Sequence, residues 1–430
     1  MAIQPVAWPS SMPPTRRLSK SALCVLLKAQ QTMTIATPPK YRDPRLDFFR
    51  GLGMFIILMA HITDNPWTLW IPARFGFSDA TEIFVFCSGM ASALAFGTLF
   101  ARAGWLMGTL RILHRMWQVY WVHIGVFLVT LMLMLAMNES GYFDRDEVMA
   151  LNLMPFLRMP ENVIGLLTLT YVPNYFDILP MYIVILAMIP VVMALAKIDT
   201  RLVLLVCLVL WAASSLKGVS LPAEYWFWPT STRQWFFDPF AWQLVFFTGF
   251  AFMSGWLPAP PVSPALVVLA GGVVILSVPF AWHESIGAFA WIREWRQEWT
   301  VLYDKSGFGI LRFVHFMSLA YLAWVAVGQR GERLSRGTTR VKIVSVFRRV
   351  GQQSLAVFAT SMIMARVLGA FMEQAGRGPL VVIAVNLLGF AIIIAVAYGM
   401  SYIKRQPWKD AAKPAARVEP AVTLTNGVQA

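Results

Sequence analysis

The sequence predicts an all-α, polytopic integral membrane protein with about ten transmembrane helices and both termini in the cytoplasm. Three observations predict this fold class. The mean hydropathy is +0.60, and 58% of the 430 residues are hydrophobic whereas only 13% are charged. Apolar runs long enough to cross a bilayer as helices recur along the chain. An ordinary soluble domain is therefore excluded.

The distribution of positive charge also favours a membrane protein. The net charge is +14, which in a soluble chain would suggest nucleic-acid binding. Here about 25 of the 36 lysine and arginine residues fall in the segments that the ten-helix arrangement assigns to the cytoplasm. That asymmetry follows the positive-inside bias. We therefore expect the lipid bilayer as a partner and no nucleic acid.

The chain divides into one membrane domain and two tails. Residues 1–40 predict a disordered cytoplasmic N-terminal tail, and residues 406–430 predict a disordered cytoplasmic C-terminal tail. Residues 41–405 form the predicted ten-helix membrane domain. The approximate bounds of its spans are 48–70, 79–100, 106–137, 177–196, 202–216, 240–256, 265–282, 310–327, 355–371 and 379–403.

Polar, proline and basic residues mark the ends of these spans. Asp79 and Glu82 have the spacing of an N-terminal capping box, which starts the second span. Arg102 then marks the inner surface. The proline-rich segment 257–264 joins spans six and seven as a short, stiff connection. The basic segment Arg330–Arg349 is expected in the cytoplasm, between spans eight and nine.

The first span carries an arginine and a histidine on one face. Arg50 and His61 are eleven positions apart, so on a helix they lie within roughly 20° of one face and about 16 Å apart along the axis. An ionisable residue inside a bilayer is costly and usually lines a polar cavity, so His61 is a candidate functional residue. The alternative is a histidine near the outer headgroups that only bonds a neighbouring helix.

A histidine in this position suits general-base catalysis. Imidazole has a pKa near 6.5, so at neutral pH it can accept a hydroxyl proton and make the oxygen nucleophilic toward a thioester. This favours acyl transfer, with no tightly bound cofactor and no metal site. Glu82 is predicted to hydrogen bond the other ring nitrogen of His61 and fix its tautomer. The alternative is that Glu82 only caps its own helix.

Cationic residues near both membrane surfaces are candidate substrate-binding residues. On the inner rim, guanidinium groups match phosphate geometry and are predicted to bind the phosphates of coenzyme A, unless they are ordinary positive-inside anchors. On the outer side, Arg312 and His315 are predicted to contact the acceptor or the acyl carboxylate, unless they are interfacial anchors. His123 is more typical of helix packing, and the outer tryptophans are more typical of an aromatic belt than of a sugar site. The inner-rim set is Arg45, Arg50, Arg111 and Arg115.

Three blocks of sequence resemble the OpgC-type membrane proteins, which are associated with succinylation of osmoregulated periplasmic glucans. The similarity extends from about Tyr41 to Tyr402. Arg50, His61 and residues 84–89 also resemble the broader membrane acyltransferase family three, and this resemblance implies that Arg50 and His61 are functional. Cys87 stands where many members have an aliphatic residue. The three blocks are residues 45–51 (RLDFFRG) with His61, residues 75–89 (FGFSDATEIFVFCSG) and residues 238–243 (DPFAWQ).

The resemblance implies a multi-pass O-acyltransferase of the bacterial inner (cytoplasmic) membrane. Such an enzyme moves an acyl group, such as succinyl, from a cytosolic acyl-CoA to hydroxyls of a periplasmic oligosaccharide or polysaccharide. His61 would be its general base. The rival hypothesis is a transporter or exporter of a glycan or acyl donor that makes no bond.

Overall fold

The computed structural model describes residues 43–143, 146–216, 218–224 and 231–411. The predicted N-terminal tail lies outside the described residues, as does the predicted C-terminal tail from residue 412 onward. Within the described ranges the chain is helical, which confirms the all-α class. Pro407–Ala411 forms a short helix inside the segment predicted to be disordered, since proline is compatible with a first helical turn.

The longer helices, each of 13 residues or more, are numbered α1 to α11. Their order in the chain is α1 Pro44–His61, α2 Ala80–Ser92, α3 Thr98–Glu139, α4 Ile178–Ala196, α5 Thr200–Ser215, α6 Pro239–Ser254, α7 Pro264–Ala281, α8 Ile310–Val327, α9 Thr338–Gln352, α10 Ser354–Ala375 and α11 Pro379–Lys404. Shorter helices include Pro66–Trp70, Pro72–Arg74, Glu161–Leu167, His283–Ala288, Ala290–Glu298 and Thr300–Tyr303.

Six helical segments in the described part of the chain are long and apolar enough to cross a membrane. One of them, Ala80–Glu139, is 60 residues long and contains two of the predicted spans. Helices α5 and α6 are apolar but shorter. Helix α1 has 18 residues, and its first half carries Arg45, Asp47 and Arg50. The membrane class is therefore supported, while the count of ten spans and the cytoplasmic termini stay predictions.

Helix α1 ends earlier than the predicted first span. The apolar run continues to Trp70, but Ile62 has an extended backbone and Pro66 begins a separate 3-10 helix. The Asn65 side chain donates to Asn386 Oδ1 on α11 at 2.8 Å, and it also accepts from the backbone N–H of Trp67. This pairing fixes the turn after α1. His61 is consequently the last residue of the helix, next to the predicted outer loops.

The predicted second and third spans are joined more closely than the sequence indicated. Ala93–Gly97 forms a π-helical turn that links α2 to α3. Inside α3, Gly104 has φ +81°, a backbone conformation that glycine adopts without steric cost. The helix therefore changes direction two residues after Arg102, where the sequence placed the inner surface.

The basic segment predicted as an inner loop is mostly a helix, α9, that packs directly against α1. A Cβ atom at Gly51 would overlap the backbone carbonyl of Phe347, and one at Gly351 would overlap the carbonyl of Asp47. The ring of Phe347 also packs on Phe55, with centroids 4.9 Å apart. Two glycines therefore let the backbones of α1 and α9 approach closely, which fixes the position of α1 against α9.

Replacing Gly51 by valine should weaken this packing. Overpacking a tight contact costs about 1–3 kcal/mol, so we expect Gly51→Val to lower the free energy of unfolding by that amount. Gly272→Val on α7 is the control, because nothing lies within 4 Å of a Cβ atom there. Thermal unfolding of the purified protein, followed by tryptophan fluorescence, gives the comparison. Equal Tm values for the two variants would contradict the close approach.

Candidate functional site

His61 borders a cavity of about 440 Å³ at the end of α1. This volume lies in the range of small-molecule pockets, roughly 300–1,000 Å³. The lining combines polar and apolar residues, a composition that binds a ligand body and orients its polar groups. The polar residues are His61, Thr81, Asn174, Tyr175, Asp177 and Lys305, and the apolar residues are Ile57, Ile178, Phe236, Phe237, Phe358 and Met362.

The hydrogen bonding of His61 defines which ring nitrogen can act as a base. Its Nδ1 lies 2.6 Å from the backbone oxygen of Ile57, one helical turn earlier. A carbonyl oxygen only accepts, so Nδ1 must carry the proton that it donates. In the neutral ring, Nε2 then holds the free lone pair. The backbone of α1 therefore fixes the tautomer that general-base catalysis requires.

Tyr175 and Arg366 hold the histidine ring from the side. The Tyr175 ring meets the His61 ring edge to face, with centroids 5.1 Å apart, and its hydroxyl donates to Met362 O at 2.7 Å. The Arg366 guanidinium lies 4.5 Å above the Tyr175 ring and donates to Thr63 Oγ1 at 2.7 Å. The sequence analysis missed both residues. The signal that could have identified Arg366 is its position as an arginine within the apolar α10.

Glu82 does not hydrogen bond His61, so the predicted orienting contact is wrong. Its Oε2 accepts from the backbone N–H of Asp79 at 2.7 Å and completes the capping box. Its Oε1 lies 2.7 Å from Nε of Arg312 and 2.6 Å from Nη2. Both carboxylate oxygens are thus occupied. The capping box of the alternative interpretation is present, but Glu82 does more than cap α2 because it also pairs with Arg312.

Glu82 belongs to an ion-pair network of two carboxylates and two cations. Asp79 Oδ2 lies 2.6 Å from Lys305 Nζ and 3.3 Å from Arg312 Nη2. Because Glu82 and Arg312 are buried, each charge depends on the others for compensation. Lys305 also lines the His61 cavity. The network therefore forms part of the cavity wall, and the sequence analysis missed Lys305.

His315 packs beneath the loop that precedes α2. Its Nδ1 accepts from the backbone N–H of Ser78 at 3.2 Å and lies 2.7 Å from the hydroxyl of Ser78. Gly76 lies directly against the imidazole, with no room for a side chain. His315 is buried, supports the loop and does not line the His61 cavity. Its contact with an acceptor stays a prediction.

The predicted inner-rim arginines have different surroundings. Arg50 donates to the hydroxyl of Ser354 at the start of α10, and its buried Nε has no hydrogen-bond partner among the described residues. Arg45 is held by the carboxylate of Asp43, with a shortest N–O distance of 2.5 Å. Arg111 is exposed, and Arg115 donates to Gln118 on the same helix. Of these four arginines, Arg50 is therefore the one that links α1, on which it lies, to α10.

The match to a protein family covers almost all of the predicted membrane domain. Residues 42–405 match the family described as OpgC protein. The chain belongs to the OpgC family. OpgC membership is consistent with a membrane glucan-modifying acyltransferase. Neither the curated proteins nor the solved structures compared with this OpgC protein gave a match.

Removing the arginine of the ion-pair network should destabilise this OpgC protein. Arg312→Gln leaves Glu82 buried without its charge partner, and breaking a buried pair in this way costs about 3–5 kcal/mol. The double variant Glu82→Gln with Arg312→Gln should recover most of that loss. Unfolding in denaturant gives the free energies of unfolding of four proteins: the wild type, Glu82→Gln, Arg312→Gln and the double variant.

The control is Arg377→Gln, because its pair with Asp64 is 48% and 54% exposed and should contribute about 0–1 kcal/mol. Strictly additive losses from Glu82→Gln and Arg312→Gln would contradict the coupling.

Proposed function

We propose that this OpgC protein transfers an acyl group, such as succinyl, from a cytosolic acyl-CoA to a hydroxyl of a periplasmic oligosaccharide or polysaccharide. The observation that carries the proposal is the His61–Ile57 hydrogen bond, which leaves Nε2 as the basic nitrogen beside a cavity of ligand size. Family membership supports acyl transfer to a glucan.

The reaction proceeds by general-base catalysis. Nε2 of His61 accepts the proton of the glycan hydroxyl, and the oxygen attacks the thioester carbonyl. The new C–O bond forms as the C–S bond breaks. The leaving thiolate takes the proton from the imidazolium, which restores the neutral ring. The products are the glycan ester and free coenzyme A.

Arg50 is the proposed contact for the anionic end of the donor. It lies on the helix that ends at His61, about 16 Å away along the axis by helical rise. The long pantetheine arm separates the thioester from the phosphates of coenzyme A, which suits this spacing. The buried Nε of Arg50, without a partner among the described residues, supports a role in binding an anion.

Substituting the base should abolish acylation. General-base catalysis contributes about 10²–10⁴-fold, so His61→Gln, which keeps polarity but loses basicity, should lose at least 100-fold in rate. Mass spectrometry of periplasmic glycans, with the protein at wild-type level, provides the measurement. His114→Gln is the matched control, because His114 is exposed on α3 and bonded to Gln118. Acylation at the wild-type level in His61→Gln would exclude His61 as the general base and favour the rival transporter hypothesis.

Substituting Arg50 should weaken the binding of the acyl donor more than it slows the chemical step. We expect Arg50→Ala to raise the KM for acyl-CoA at least tenfold, because a charge-assisted hydrogen bond contributes about 1.5–3 kcal/mol. Ser354→Ala is the matched control, since it breaks the same internal contact and keeps the cation. Initial rates over a range of acyl-CoA concentrations separate KM from kcat. An unchanged KM in Arg50→Ala would remove Arg50 from donor binding.

A further inference from the structure

A second cavity, of about 190 Å³, borders the same ion-pair network as the His61 cavity. It is lined by Asp79 and Arg312 of that network and by two further arginines, Arg74 and Arg296. It is smaller than the His61 cavity and is large enough for a charged group of a ligand. The donor and base described above do not use this cavity.

The two further arginines give the second cavity an excess of positive charge. Asp79, Glu82, Lys305 and Arg312 compensate one another inside the network. Arg74 donates only to the backbone oxygen of Thr68, at a long 3.4 Å. Among the residues that the structure describes, it has no carboxylate partner.

Arg296 is also free to bind an anion. One of its Nη atoms donates to the carbonyl of Phe280, and its guanidinium lies 4.4 Å above the Tyr303 ring. No ion pair to a carboxylate is present for it within the described ranges. Two cations without counter-charges at one small cavity are suited to an oxyanion, which guanidinium groups bind in a bidentate manner.

Two aromatic residues, Phe77 and Tyr303, line the same cavity, and their rings stack with centroids 5.8 Å apart. Phe75 and Trp282 stack with centroids 5.3 Å apart, next in sequence to the lining residues Arg74 and His283. Trp295 stacks on Tyr303 at 6.1 Å, and Trp70, which packs near Trp282, is 70% exposed. Flat rings at this position offer contact to the apolar faces of sugars beside the cationic cavity.

We propose that the second cavity binds a carboxylate or phosphate group carried by the acceptor glycan. The glycan part of this inference rests on the proposed function, which it extends from a glycan acceptor to an anionic one. Arg74 and Arg296 hold the anion while the aromatic rings contact the sugar that carries it. The Asp79 network then sets the separation between the anion and the hydroxyl at His61.

Binding of sugar probes tests this proposal without acyl transfer. The full-length protein, in nanodiscs of phosphatidylcholine, is titrated by calorimetry with glucose, glucuronate and glucose 6-phosphate. We expect the two anionic sugars to bind at least tenfold more tightly than glucose. Arg74→Gln and Arg296→Gln should each weaken anionic-sugar binding about tenfold. Arg296→Lys, which keeps the charge, should lose less, and Arg377→Gln should bind as the wild type does.

Several results would overturn the proposal. Equal binding of glucose and the anionic sugars would do so, as would unchanged binding in both glutamine variants. Inorganic phosphate that binds as tightly as glucose 6-phosphate would make this a free-phosphate site. Loss of sugar binding in phosphatidylglycerol nanodiscs, at equal ionic strength, would assign the site to a lipid headgroup. A failure of the proposed function is distinguishable from these results. It would appear as an absence of acylation by the wild-type protein, regardless of how the sugars bind.

Discussion

The contact between α2 and α8 depends on the compensation of buried charge. Glu82 and Arg312 are 230 positions apart in sequence, yet the carboxylate and the guanidinium meet at 2.7 Å in the interior. Asp79 and Lys305 join them and complete a balanced set of two negative and two positive charges. Both cavities border this set. The network therefore joins the start of α2 to α8 and forms part of the wall of both cavities.

The end of α1 supplies the second constraint. Because the helix stops at His61, the ring leaves the helix axis beside Tyr175 and returns its Nδ1 proton to the carbonyl of Ile57. A backbone oxygen, instead of a carboxylate, therefore fixes the tautomer of His61 without a further buried charge. Asn65 and Asn386 hold the turn that follows, so the position of the ring depends on α11 as well.

Sequence reasoning was successful where the physics is local. The helical class follows from hydropathy, the cap of α2 from the spacing of Asp79 and Glu82, and the pairing of Arg50 with His61 on one helix from its periodicity. It was not sufficient where residues distant in sequence meet. Nothing in a single sequence indicates that Arg312 forms an ion pair with Glu82. The same is true of the packing of Tyr175 and Arg366 beside His61. Predicting the packing of α9 on α1 would also require knowledge of which backbones meet at Gly51 and Gly351.

The central claim is that one histidine receives a donor from one side of the bilayer and an acceptor from the other. Proteoliposomes with uniformly oriented protein test it directly, when labelled acyl-CoA is supplied at the inner face of the protein and glycan only at the outer face. The account predicts labelled glycan ester in this arrangement, and none when both substrates are supplied only at the outer face. Ester formation only when the two substrates share one compartment would contradict it.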